Sequence, residues 1–98
     1  HDGYILFYDR AIKYGHLEIV KWAYQKCIPS YGLVCPIAAK YGQFEIFKWA
    51  WDKNNWLPYH REDCLDSVEY IPPEYDQQML QEISEGKEKI RSFIMDSA

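Results

Sequence analysis

Four residues of this 98-residue chain have the chemical types that bind zinc, namely Cys27, Cys35, His60 and Cys64. Zinc in proteins takes four nitrogen or sulfur ligands in a tetrahedral array. His60 and Cys64 stand four residues apart, which suits two ligands on one face of a helix. The cysteine spacings, however, differ from the usual gap of about two to four residues, and buried cysteine also serves as a small apolar residue. We therefore predict no metal site and no cofactor, and a small zinc-binding domain remains an alternative.

Nucleophilic catalysis is the second chemistry that cysteine and histidine can support. It requires a base within hydrogen-bond reach of the nucleophile and a third group that orients the base. His16 has a glutamine, Gln43, at its matching position in the repeat described below, so the repeat does not require a titrating group there. No glycine-rich phosphate-binding loop is present either. The sequence therefore predicts that the chain is not an enzyme.

Aromatic and acidic residues in the second half of the chain are better candidates, for contact with a protein partner. Exposed aromatic residues are enriched at interface hot spots, and an acidic segment steers a basic partner. The predicted partner-binding residues are Trp51, Trp56, Tyr59, Glu62, Asp63 and Asp66. Two alternatives stay open: Trp56 folds back over a small local core, and the acidic residues form an ordinary solvated face.

A stretch of sixteen residues occurs twice, and it determines the predicted architecture. Residues 11–26 align without a gap with residues 38–53, and ten of the sixteen positions are identical. The offset is 27 residues, the difference between Gly15 and Gly42. A fixed short period is typical of proteins in which each repeat packs against its neighbours. The predicted fold is all-α, a stacked helix-turn-helix solenoid fragment of about three units.

Each copy of the repeat reads as two helices separated by its glycine. Gly15 and Gly42 are expected to end the first helix, because glycine adopts positive φ without a Cβ clash. The predicted first helices cover residues 5–14 and 33–41, and the predicted second helices cover residues 17–26 and 44–53.

The matched tryptophans of the second helices, Trp22 and Trp49, are predicted core residues. They follow Ile19 and Ile46 at helical spacing. These helices are apolar over most of their circumference, which indicates packing on more than one side.

A third, weaker copy is predicted near the C-terminus. Gly86 is expected to end a helix over residues 74–85 that Pro72 and Pro73 open, and Ile90 and Phe93 match the isoleucine and tryptophan of the repeat. The predicted organisation is a single domain, residues 1–98, with units at 4–30 and 31–57, an insert at 54–72 and a degenerate unit at 73–96. Within the insert, residues 54–59 read as a loop and residues 63–71 as a short extra helix.

Residues 38–50, with the sequence AAKYGQFEIFKWA, resemble the core of ankyrin repeats, and residues 15–22 are similar to it as well. The threonine-proline-leucine-histidine opening of that family is absent, and the period is about six residues shorter than 33, which removes the β-hairpin finger. A closer likeness is to the short ankyrin-like repeats of large DNA viruses and amoebae, with the asfarvirus multigene families as one candidate source. This resemblance implies a viral protein that engages host proteins inside the cell.

Charge and cysteine content narrow the class of partner. The net charge is −4 and no basic cluster is present, so the electrostatic footprint of nucleic-acid binding is missing. No apolar run approaches a membrane span and no signal peptide is visible. An odd number of cysteines, three, without a disulfide-scaffold spacing indicates a reducing compartment, the cytoplasm. We predict a protein partner, with no nucleic acid and no membrane.

The first residues of the chain are apolar and indicate a surface that another part of a protein contacts. The chain opens on His1 without a methionine, and residues 4–8 are strongly apolar with no polar helix cap before them. We interpret this as a segment of a longer array, or as a surface covered by a partner, including self-association through the N-terminal helix. The predicted function is a protein–protein interaction module, and the alternative is a purely structural spacer segment of a longer repeat array.

Overall fold

The computed structural model describes residues 2–26, 34–54 and 60–96, and the regular structure within these segments is helical throughout. The helices are α1 (Asp2–Lys13), α2 (Leu17–Gln25), α3 (Val34–Lys40), α4 (Phe44–Asn54), α5 (His60–Glu69) and α6 (Gln77–Asp96). The predicted all-α class is therefore confirmed for the described segments. The predicted loop residues Trp56 and Tyr59 lie outside them.

Glycine turns connect α1 to α2 and α3 to α4, as predicted. Gly15 and Gly42 have φ values of +75° and +68°, in the left-handed region that glycine adopts readily. In both turns the N–H of the next residue, His16 or Gln43, donates to a carbonyl oxygen five residues earlier at 2.9 Å. This is the hydrogen bond of a Schellman helix end. The two copies of the duplicated segment therefore share one turn conformation.

The two copies of the helix pair lie side by side. The first helices are neighbours, because α3 packs against both α1 and α5, and the second helices follow the same order, because α4 packs against both α2 and α6. Small side chains permit this approach, since Ala38 and Ala39 of α3 are fully buried. In α4 the fully buried Phe47 contacts the rings of Trp51 and Phe93. The two copies of the duplicated segment therefore pack against each other.

Polar contacts also join the two copies. The carboxylate of Asp9 in α1 lies 3.2 Å from the ammonium of Lys40 and accepts hydrogen bonds from the Tyr41 hydroxyl at 3.1 and 3.2 Å. The side-chain amide of Gln43 donates to the main-chain carbonyl of Lys13 at 3.2 Å. Burial, followed by the nearby Asp9 charge, raises the pKa of Tyr41 well above its ordinary value. The second copy therefore reaches back to the first through its turn.

The raised pKa of Tyr41 predicts how stability depends on pH. The folded state holds the phenolic proton more tightly than the unfolded state, so this contribution is complete below about pH 10, the ordinary tyrosine pKa, and is lost as the pH rises above it. We expect the free energy of unfolding, from urea titrations at about pH 8 to 11, to fall less steeply with pH in Tyr41→Phe. Tyr14→Phe, at an exposed tyrosine, is the control; equal slopes in all three proteins would contradict this assignment.

The prediction that Trp22 belongs to the core is wrong, and the prediction for Trp49 holds only in part. In α2 the buried positions are Val20 and Ala23, and the side chain of Trp22 is 52% exposed. Trp49 is half-buried, with the ring of Tyr24 centred 5.5 Å away. The tryptophan position faces the preceding helix pair, and the described residues supply such a neighbour for Trp49 but not for Trp22.

The C-terminal region forms one long helix rather than two. The predicted helix end at Gly86 is wrong, because α6 runs through it and the positive-φ glycines of the described chain are Gly15 and Gly42. Gly86 faces the turn at Gly42 instead, where an added Cβ would lie 2.8 Å from the carbonyl carbon of Gly42. The glycine therefore permits a close approach of helix and turn.

The start of α6 also differs from the predicted one. The helix begins at Gln77 rather than at Glu74, so three residues separate it from Pro73. The carboxylate of Asp76 accepts a hydrogen bond from the N–H of Met79 at 2.9 Å. An aspartate before the first turn satisfies donors that have no partner inside the helix. This cap, and not the proline pair, begins the helix.

Candidate protein-binding surface

Helix α5 places the predicted acidic residues of the insert on the surface. It spans His60–Glu69, so it begins and ends earlier than the predicted helix over residues 63–71. Cys64 and Val68, one helical turn apart, are buried and fix α5 against α3. The opposite side of α5 therefore faces outward, and the exposed residues there are Glu62, Asp63, Asp66 and Glu69.

Trp51 does not join them, and the expectation that it is an exposed aromatic is wrong. Its side chain is only 9% exposed, and its ring centre lies 5.4 Å from that of Phe47 and 5.8 Å from that of Phe93. The side of α4 that carries Trp51 packs against α6. The 27-residue offset between the two copies does not predict this contact. The two other predicted aromatic contacts, Trp56 and Tyr59, fall outside the described residues.

Apolar side chains that sequence reasoning did not select lie just after α5. Tyr70 is exposed, and Ile71 is 63% exposed. Ile71 lines a groove of about 270 Å³ between α5 and α6, together with Val68, Leu80 and Ile83. The sequence signal for the exposure of Ile71 is the proline at position 72. The residue before a proline disfavours the helical conformation, so Ile71 lies outside α5. Glu69, Ser84, Lys87 and Arg91 line the rest of the groove, so it is half polar and meets the acidic side of α5 at Glu69.

The two cations that line this groove, Lys87 and Arg91, both have partners within the fold. The Lys87 ammonium donates to the main-chain carbonyl of Val68 at 2.9 Å and to that of Tyr70, so it caps the end of α5. Burial, with the nearby Arg91 charge, lowers the pKa of Lys87. Arg91 lies 3.3 Å from the carboxylate of Glu69. These cations serve the fold and leave the outer acidic residues unneutralised.

Glu62, Asp63 and Asp66 carry the remaining negative charge of this surface. Among the side chains that the structure describes, no cation lies within ion-pair distance, 4.0 Å, of these three carboxylates. Exposed like charges on one helix create a local negative potential that attracts a positively charged partner and is screened by salt. The arrangement therefore suits recognition of a basic surface rather than chemistry.

Two of the four candidate zinc ligands, Cys35 and Cys64, lie within the described residues, on the packed helices α3 and α5. Cys35 and Cys64 are both fully buried, and the Cys35 thiol lies 3.7 Å from the main-chain carbonyl oxygen of Phe47. Cys27 falls outside the described residues, as does the side chain of His60. Within the described segments no three residues of the histidine, cysteine, aspartate or glutamate types form a group that would hold a metal ion.

No protein-family model matches this chain, and no curated protein or solved structure shows significant similarity to it. Among the helices described here, none combines the length and the apolar character needed to cross a membrane.

Proposed function

We propose that this chain is a protein-interaction module built as a short ankyrin-like solenoid. In this proposal the helix pairs α1–α2, α3–α4 and α5–α6 are three successive units, and the insert supplies the first helix of the third unit. The order of packing, α1 to α3 to α5 and α2 to α4 to α6, supports it. Stacked repeats mostly provide extended surfaces for binding other macromolecules.

The observation that carries the proposed function is the outer surface of the third pair. The exposed acidic residues of α5 include Glu69, which lines a groove together with the exposed Ile71 and with Leu80 and Ile83. We propose that the partner is a basic protein segment with one apolar residue that enters the groove. The negative charge steers the encounter, and the helices are already folded, so little ordering cost opposes binding. The resemblance to viral repeats extends the proposal to a host-cell protein in the cytoplasm.

Short peptides test this proposal directly. One peptide has a leucine flanked by lysines, and its matched control has glutamates in place of the lysines. We expect the lysine peptide alone to bind, and Asp63→Lys with Asp66→Lys to weaken it roughly tenfold at low salt. Fluorescence polarisation at low and high salt measures both effects. Ile71→Ser should weaken binding without changing the salt dependence, because it removes an apolar contact.

A charge-matched variant distinguishes the site from the overall charge of the protein. Glu18→Lys with Glu45→Lys changes the net charge by the same amount on exposed positions of α2 and α4. At the same low salt concentration, this variant should lose much less affinity for the lysine peptide than Asp63→Lys with Asp66→Lys does. Equal losses in both double variants, or equal binding of both peptides, would refute the proposed site.

A structural spacer segment is the alternative function, and the exposed Trp22 on α2 favours it. If the chain serves only to connect further repeats, no variant of α5 should change any binding, and the lysine peptide should not bind. The zinc-binding alternative has its own test, since metal analysis of the purified protein would then find one zinc ion per chain.

A further inference from the structure

The contact between neighbouring second helices occurs twice with the same aromatic geometry. Tyr24 of α2 meets Trp49 of α4 with ring centres 5.5 Å apart and an interplanar angle of 85°. Trp51 of α4 meets Phe93 of α6 at 5.8 Å and 89°. Tyr24 and Trp51 are 27 residues apart, and Trp49 and Phe93 are 44 apart, which are the offsets between successive glycines of the repeat. One contact therefore recurs along the chain.

Trp22 matches Trp49 and Phe93 in the repeat. Unlike them, it is exposed to solvent on its side of α2. The isoleucines that stand three residues before the aromatic of α4 and α6, Ile46 and Ile90, are both buried. The matching Ile19 of α2 is 42% exposed, beside the exposed Trp22. Helix α2 thus presents the same apolar side that α4 and α6 use to contact the preceding helix pair.

The polar contacts follow the same rule. Lys40 and Tyr41 reach back to the carboxylate of Asp9, and Gln43 reaches back to a main-chain carbonyl in the preceding turn. The matching residues of the first helix pair are Lys13, Tyr14 and His16. Tyr14 keeps a phenolic O–H, and His16 keeps a side chain able to donate from a ring nitrogen. The Lys13 ammonium already lies 4.0 Å from the carboxylate of Glu74 and over the ring of Tyr75. Tyr14 and His16 are exposed, and the His16 side chain makes no capping hydrogen bond.

We infer that Tyr14, His16, Ile19 and Trp22 form a docking surface for a further helix pair of this same repeat type. The occupant is specified by the contacts that already exist between the first and second pairs. It has a carboxylate at the place of Asp9, which accepts a hydrogen bond from the Tyr14 hydroxyl. It has an aromatic ring at the place of Tyr24, which meets Trp22 edge to face.

A second copy of this chain does not supply such an occupant. Its Asp9 is bound by its own Lys40 and Tyr41, and its Tyr24 ring is covered by its own Trp49. At its other end, the position of α6 that matches Tyr24 and Trp51 is Met95, which is exposed and supplies no aromatic ring. The docking surface therefore selects a separate unit with the chemistry of residues 4–30.

A tandem extension of the full chain tests this inference. Residues 4–30 are duplicated directly ahead of residue 4, which keeps the 27-residue period. We expect one cooperative urea transition at a higher midpoint, with more helix per chain by circular dichroism. Trp22→Ala should then lower the midpoint of the extended protein clearly, while it shifts the unextended protein little. An added copy that stays unfolded, or a Trp22→Ala shift that is the same in both proteins, would overturn the inference.

A double-mutant cycle tests the polar half of the docking surface. The cycle combines Asp9→Ala in the added copy with Tyr14→Phe in the original unit, and the reference cycle combines Asp9→Ala with Tyr41→Phe in the unextended chain. We expect the two substitutions to be non-additive in both cycles. Additive shifts in the extended protein, with a non-additive reference, would overturn the inference. So would a dimer of the unextended chain, seen by sedimentation, that Trp22→Ala dissociates.

Discussion

Gly86→Ala is expected to destabilise the protein by about 3 kcal/mol, at the upper end of the usual cost of overpacking. Gly86 lies inside α6 against the turn at Gly42, and an added methyl group would overlap the main-chain carbonyl of that turn. The atoms that the methyl group would meet are main-chain atoms of Gly42, so no side-chain rotation relieves the overlap. Helix propensity alone predicts the opposite sign, because alanine is better than glycine in a helix by about 1 kcal/mol.

Urea unfolding of Gly86→Ala and of Ser92→Ala measures this effect. Ser92 is an exposed residue of the same helix, and its replacement should change the free energy of unfolding by no more than about 0.5 kcal/mol. If Gly86→Ala stabilises the protein, helix propensity dominates and α6 does not approach the turn as described.

Trp51→Ala is expected to cost about 3–5 kcal/mol, the range for removing a large buried aromatic side chain. The substitution leaves a cavity between α4 and α6 and removes the ring contacts to Phe47 and Phe93. Although Trp51 precedes a predicted loop and has no tryptophan match in the first copy, it is the buried tryptophan of α4.

Trp22→Ala is the matched comparison, because it removes the same side chain from an exposed position. It should cost less than about 1 kcal/mol, as substitutions at exposed positions usually do. Trp49→Ala should fall between the two, because Trp49 is half-buried. Chemical unfolding of the three variants gives the order directly. A larger loss for Trp22→Ala than for Trp51→Ala would restore the core that the repeat pattern predicted.

The duplicated segment explains why much of the fold was predictable. Identical residues at a constant offset imply identical local structure, and both glycine turns and the four helices around them occur where the repeat places them. The helical spacing of the apolar residues of the insert, Cys64, Leu65, Val68 and Ile71, likewise predicts a helix there, and α5 occurs at that place with Asp63 and Asp66 exposed.

Burial was less predictable, because matched positions of a repeat have unlike neighbours. Trp22 and Trp49 have the same surroundings within their own helix pair, yet only Trp49 has a helix pair before it among the described residues. The sequence predicts an exposed Trp51, whereas α6 covers that side of α4. Sequence spacing within one helix does not reveal which of its sides a distant helix covers.

Gly86 shows a related ambiguity. A glycine is required both where φ is positive and where another main chain comes close. The match to Gly15 and Gly42 favoured the first use, but α6 continues through Gly86 and the second use applies. The groove beside Ile71 was missed for the same reason, since it forms only where α6 lies against the end of α5.

The recurring contact between second helices is the central claim, and a NOESY spectrum of the intact chain tests it most directly. We predict cross-peaks between the ring protons of Tyr24 and Trp49 and between those of Trp51 and Phe93, because both pairs of ring centres lie within 6 Å. Trp22 should show no aromatic cross-peak to another helix. Absence of either predicted set in a folded sample would contradict the side-by-side arrangement of the repeated helix pairs.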